Sequence, residues 1–166
     1  MTILSTVSGV LIALTVFLGY GVLRADFARL LGAYGAFFGL YGWILWQRQL
    51  PERVQQGYLV LGIFLRALLL FSTPQLSDDV YRFLWDGRLA AHGIHPFAEL
   101  PSYYMAHPAA IPGITRALFE QLNSPGYYTV YPPICQAVFW VAGKLFPESA
   151  AGGIFIIKLF FFCLLY

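Results

Sequence analysis

Three long apolar runs, packed closely along the first 73 residues, constrain this chain more than any motif does. They cover Ile3–Leu23, Leu30–Trp46 and Tyr58–Thr73. Runs approaching 20 apolar residues are long enough to cross a bilayer as helices. Composition agrees: 59% of the 166 residues are hydrophobic and 11% charged, against roughly 25% charged in a soluble domain. Mean hydropathy is +0.68. The expected fold is an all-α integral membrane protein, a multi-pass helical bundle in which each span satisfies its own backbone. A cleaved leader is disfavoured for the first run, which lacks a preceding Lys or Arg and is too long.

Short polar connections separate the runs. One carries Arg24, Asp26 and Arg29; the next, Gln47–Gly57, carries Arg48, Pro51, Glu52 and Arg53. Both are basic, so loop charge does not orient the protein. The second run reads GAYGAFFGLYG, a small-residue pattern that suits close helix packing. Net charge is +2, too little for a nucleic-acid surface. Cys135 and Cys163 lie in apolar segments and read as small buried hydrophobes.

From Pro74 to Tyr128 no window can cross a bilayer. Pro96, Pro101, Pro108, Pro112 and Pro125 punctuate this segment, and its aromatic content argues against disorder. A fourth span is expected from Tyr131-Pro132-Pro133 to Phe146. A fifth starts at Gly152 and is still apolar where the chain ends, as in the N-terminal part of a longer protein. The expected organisation is three spans in 1–73, a loop in 74–128, and a fourth span with a truncated fifth in 129–166.

The loop concentrates charge in SDDVYRFLWDGRLAAHGIHPF, residues 77–97. Ser77 reads as an N-cap, with Asp78 and Asp79 complementing the helix dipole. Gly93 is a natural stop with Pro96 beyond it. The stretch 78–92 therefore predicts a helix. At about 100° per residue, Asp79, Arg82 and Asp86 share one face. Val80, Leu84, Gly87 and Ala91 share another. That pattern suits an amphipathic helix lying in the membrane interface.

Two readings of the acidic pair stand side by side. Asp78 and Asp79 cap the helix and pair with Arg82, or one carboxylate faces a reaction centre as general base or divalent-cation ligand. Arg82 and Arg88 are candidate phosphate clamps or local ion-pair partners. Arg66, inside the third run, needs a partner or a wet cavity, and Lys158 has the same status. Tyr131-Pro132-Pro133 marks a helix start whose N–H groups suit an anionic group. His92, His95 and His107 lack the spacing of a metal set.

Asp78-Asp79-Val80-Tyr81, Trp85-Asp86-Gly87, Gly93-Ile94-His95-Pro96-Phe97 and Tyr131-Pro132-Pro133, taken in that order, resemble the first large external loop of GT-C membrane glycosyltransferases. The polyprenol-phosphate-mannose-dependent mannosyltransferases are the nearest in pattern. The resemblance covers about residues 74–140. It implies a multi-pass cell-membrane enzyme with the acidic motif on the extracytoplasmic side. It implies transfer of a hexose, mannose favoured, from a polyprenyl-phosphate sugar to a lipid-linked, glycan or protein acceptor. Carried over, Asp79 and then Asp78 are the candidate bases, with Arg82, Arg88, Asp86, Arg66 and Tyr131 as candidate substrate-binding residues. No cofactor is required by this reading, which leaves a divalent cation on Asp78 and Asp79 open. The family has more spans than the five expected here. A transporter, or a non-catalytic membrane partner docking through the charged helix, are the rival readings.

Overall fold

The computed structural model describes residues 2–47, 49–107 and 111–164, with side chains from residue 5 onward. Arg48 and Pro108 lie outside the described residues. The chain is all-helical, with no strand among the described residues. It divides into two compact units, Met1–Leu76 and Ser77–Tyr166.

The first unit holds α1 (Thr2–Val16), α2 (Phe27–Trp46) and α3 (Glu52–Leu68). A π-helical turn, Phe17–Gly21, extends α1, and a 3₁₀ turn, Leu69–Phe71, extends α3. The wide turn brings Gly19 against the Leu69 side chain. The Tyr20 hydroxyl donates to the Leu68 carbonyl at 2.6 Å, satisfying an acceptor that the end of α3 leaves open. Val7, Leu11 and Leu65 form a small core with Phe37, Leu40 and Ile44 against it. Many other large apolar side chains, among them Phe27, Phe38, Trp46 and Leu59, are exposed. Among the described residues only Glu52–Phe71 is long and apolar enough to cross a membrane. Arg29 and scattered Gly, Tyr and Trp dilute α2 below that level. Its glycines do not pack as the pattern predicts: a methyl group added at Gly32, Gly35, Gly39 or Gly42 would meet nothing within 4 Å.

The second unit contains α4 (Asp79–Ala91), α5 (Pro101–Ala106), α6 (Arg116–Phe119), α7 (Pro133–Leu145) and α8 (Ala150–Leu164). The charged helix is predicted well in extent but not in setting. Nine of the thirteen α4 residues are buried, including Arg82, Asp86 and Arg88. It is the central helix of its unit, not an amphipathic surface helix. Its polar face is covered because the 122–131 segment and α7 fold over it. α4 stops at a left-handed Gly93 (φ 77°), with Gly93 N–H donating to Ala90 and Ile94 N–H to Leu89, both at 3.0 Å. This is a Schellman stop that only glycine adopts without strain. Pro133 opens α7 at its first turn, where a missing N–H costs nothing. At 13 residues α7 reaches about 20 Å, short of a roughly 30 Å hydrocarbon core.

α4 and α7 meet backbone to backbone. A Cβ on Gly87 would collide with the Phe139 carbonyl, and one on Gly143 with the Gly87 carbonyl. One turn earlier, Phe83 stacks on Phe139 at 4.6 Å. Trp85 is fully buried between Tyr104 and Phe119. α8 adds Ile154 and Ile157 to the same core. The cysteines are free thiols, Cys135 half-buried and Cys163 exposed, so Cys163 does not take the buried place its segment suggests.

Candidate functional site

The first turn of α4 sets the candidate site. Asp78, not Ser77, is the N-cap residue. The Ser77 hydroxyl instead accepts from the Asp79 backbone N–H at 3.2 Å and donates to Asp79 Oδ2 at 2.8 Å. A serine hydroxyl that bonds two residues ahead makes a local turn of this kind. Asn123 Nδ2 donates to Asp79 Oδ1 at 2.8 Å. The Tyr131 phenol faces the Asp79 carboxylate closely enough for that group to raise its pKa. Three polar groups from three chain segments therefore converge on one half-buried aspartate, while Asp78 is exposed.

The ring of Tyr131 is fixed from the side. It stands edge-on to Phe83 at 4.8 Å and to Phe139 at 5.7 Å. Such pairs contribute about 0.5–1.5 kcal/mol each beyond burial. Desolvation and the neighbouring Asp79 and Asp86 push the Tyr131 phenol up to about 12, with Arg82 opposing. Near neutral pH Tyr131 is thus a fixed hydrogen-bond donor.

Beneath this point lies a buried polar lock. Arg82 Nε donates to Asp86 Oδ1 at 2.9 Å, the two side chains being 2% and 0% exposed. Arg82 Nη1 donates to the carbonyls of Ser124 (3.2 Å) and Tyr127 (2.9 Å). Gln136 Nε2 donates to Asp86 Oδ2 and to Thr129 Oγ1, both at 3.0 Å. The lock pins the 124–129 segment, which lies between Asn123 and Tyr131. Arg82 and Asp86 are enclosed and engaged with each other, so their geometry is that of a scaffold beneath Asp79.

The other predicted residues lie elsewhere. Arg88 is buried on the opposite side of α4, its Nη1 donating to the Gly113 carbonyl at 2.8 Å. Arg66 belongs to the first unit, exposed and in the last turn of α3. That is near the helix C-terminus, where a cation is favoured, not in mid-span as the run suggested. Among the described residues no three His, Cys, Asp or Glu side chains gather as a metal-binding group. Both Asp79 oxygens already accept from side-chain donors. Asn123, Gln136 and Thr129 were not singled out from sequence. Gln136 carried a signal, as the one polar residue besides Lys144 in an otherwise apolar helix, where it must find a partner. Asn123 carried none.

No family model, no curated protein and no solved structure matches this chain.

Proposed function

We propose that the chain acts as a multi-pass membrane glycosyltransferase of the GT-C kind, with the Asp79 carboxylate as general base. It moves a hexose, with mannose the favoured sugar, from a polyprenyl-phosphate donor to a lipid-linked, glycan or protein acceptor at the extracytoplasmic face of the cell membrane. One observation carries this reading. Asp79 from the acidic motif and Tyr131 from the Tyr-Pro-Pro motif, 52 positions apart in sequence, are brought close enough that the carboxylate helps to raise the phenol's pKa. The apolar side chains exposed on α1, α2 and α3 support a lipid environment for the first unit.

In this mechanism an acceptor hydroxyl gives its proton to Asp79 as its oxygen attacks the anomeric carbon. The bond from that carbon to the phosphate oxygen breaks, releasing polyprenyl phosphate and inverting the centre. Ser77, Asn123 and Tyr131 orient the carboxylate. Arg82 and Asp86 hold the segment that carries two of those donors.

The test is transfer from a labelled polyprenyl-phosphate sugar in membranes containing the protein. Removing a general base costs about 10²–10⁴-fold, so Asp79→Asn should lose transfer by that order and Asp78→Asn far less. Full transfer in both variants at matched protein level would show that the carboxylates only tie the helix start. Absence of transfer from any lipid-linked sugar would favour a transporter or a docking partner.

A further inference from the structure

The outer side of α7 is unlike the rest of the second unit. Its inner side, Val138, Phe139, Ala142 and Gly143, is buried. Its outer side carries Ile134, Ala137, Val141 and Leu145, which recur at helical spacing and are all exposed. Trp140 flanks that stripe, and Lys144 in the last turn is its one charge. The segment leading into α7 continues it. Tyr127, Tyr128 and Val130 are exposed, Val130 by 82% and Ile134 by 68%. A continuous apolar surface of this kind marks an interaction site. Exposed charge gathers elsewhere, on and beside α5 and α6, at Glu99, Arg116 and Glu120. α6 packs on α4 and α5, and α7 on α4 and α8. The unit is therefore amphipathic as a whole.

Three observations favour a bilayer as the occupant of the apolar side. Glu52–Phe71 is long and apolar enough to cross one, and seven residues, Ser72–Asp78, join it to α4, a connection of at most about 25 Å. The face is rich in Tyr and Trp, which favour the membrane–water interface. Its single charge, Lys144, has a long stem that lets the ammonium reach the headgroups. The ends of α7 fix its direction. Tyr131, just ahead of it, faces Asp79, and the exposed Glu148 follows just beyond it. Charge thus stands at both ends of a helix about 20 Å long. Set upright, it would carry one carboxylate deep into hydrocarbon, which is costly. Lying flat, it keeps both at the surface.

We infer that the second unit rests on the bilayer through this face, with α7 lying in the interfacial plane instead of crossing it. The inference rests on the lipid setting proposed above and not on the transfer chemistry.

The experiment uses the full chain in nanodiscs, with Cys135→Ala and Cys163→Ser. One new cysteine at a time carries a nitroxide: Val130→Cys, Ile134→Cys, Leu145→Cys, Glu120→Cys or Leu59→Cys, all at exposed positions. Collision rates with oxygen and with a water-soluble nickel chelate give the depth of each label. The labels at 130, 134 and 145 should share one shallow depth, about 5–10 Å into the headgroup–acyl boundary. The label at 120 should face water. Depths at 134 and 145 that differ by about 16 Å, the rise of eleven helical residues, would make α7 a span. Labels there that meet the chelate freely, or neither reagent, would mean that water or another protein surface covers the face. Each of these results overturns the inference. Leu59→Cys, on α3, separates the two readings: in lipid it leaves the bilayer setting standing, and in water it removes that setting too.

Discussion

Replacing Arg82 by methionine tests the lock beneath the site. Methionine keeps an unbranched stem in the same channel and removes the charge. Asp86, with 0% side-chain exposure, is then left with one donor, Gln136 Nε2. The carbonyls of Ser124 and Tyr127 lose their common donor. Breaking a buried ion pair by removing one member costs about 3–5 kcal/mol, so Arg82→Met should destabilise the unit by that amount. Adding Asp86→Leu removes the stranded charge. Replacing both members by apolar groups is near neutral, leaving the two carbonyls, about 1–3 kcal/mol. The double variant should thus be more stable than Arg82→Met alone, with a coupling of about 2 kcal/mol or more. Equilibrium denaturation in detergent measures this, with fluorescence of the buried Trp85 beside far-UV circular dichroism. A single variant within about 1 kcal/mol of the wild type, or a double variant no better than the single, would refute the assignment of Arg82–Asp86 as a structural lock.

Tyr131 makes a prediction about alkaline stability. Its folded pKa is raised to about 12 from an unfolded value near 10. Between those values the folded chain binds the extra proton, so stability falls as pH rises from about 10 to about 12. Tyr131→Phe should flatten that part of a pH–stability profile, and a profile unchanged by the substitution would contradict the raised Tyr131 pKa, whose first cause is burial of the phenol. The glycines make predictions of opposite sign. Gly143→Ala forces a methyl group against the Gly87 carbonyl and should cost about 1–3 kcal/mol. Gly35→Ala meets nothing within 4 Å and should gain up to about 1 kcal/mol of helix propensity. Thermal unfolding of the two variants side by side reads both signs.

Local chemistry made part of this architecture legible. Gly93 and Pro133 act within one turn of themselves, and each ends or starts its helix as its backbone freedom dictates. The apolar runs gave the helices of the first unit for the same reason. What was hidden depends on contacts far apart in sequence. The face of Asp79, Arg82 and Asp86 looks like a solvated stripe, because nothing in α4 says that Gln136 and the 124–127 carbonyls cover it. The glycines invert expectation for the same cause. The glycines of GAYGAFFGLYG look like a packing seam yet face open space. The solitary Gly87 and Gly143 are where two helices touch. A spacing rule identifies which residues share a face, not whether a partner arrives. Of the site, the carboxylate and Tyr131 were legible as motifs; Ser77, as a cap, was legible in place but not in role.

The Gly87–Gly143 contact makes the angle between two helices a quantity that the site can sense. With no side chain between the backbones there is nothing compressible at the contact, so it behaves as a fulcrum. Asp79 lies eight residues from it, about 12 Å along α4, and Pro133, which carries Tyr131, lies ten residues from it, about 15 Å along α7. Over such arms a tilt of about 5° displaces the far ends by about 1 Å, enough to take a hydrogen bond out of range. A change in the angle between α4 and α7 is therefore felt first at the Asp79 end of α4 and the Pro133 end of α7, the two ends that the Phe83–Tyr131 and Tyr131–Phe139 ring contacts hold together.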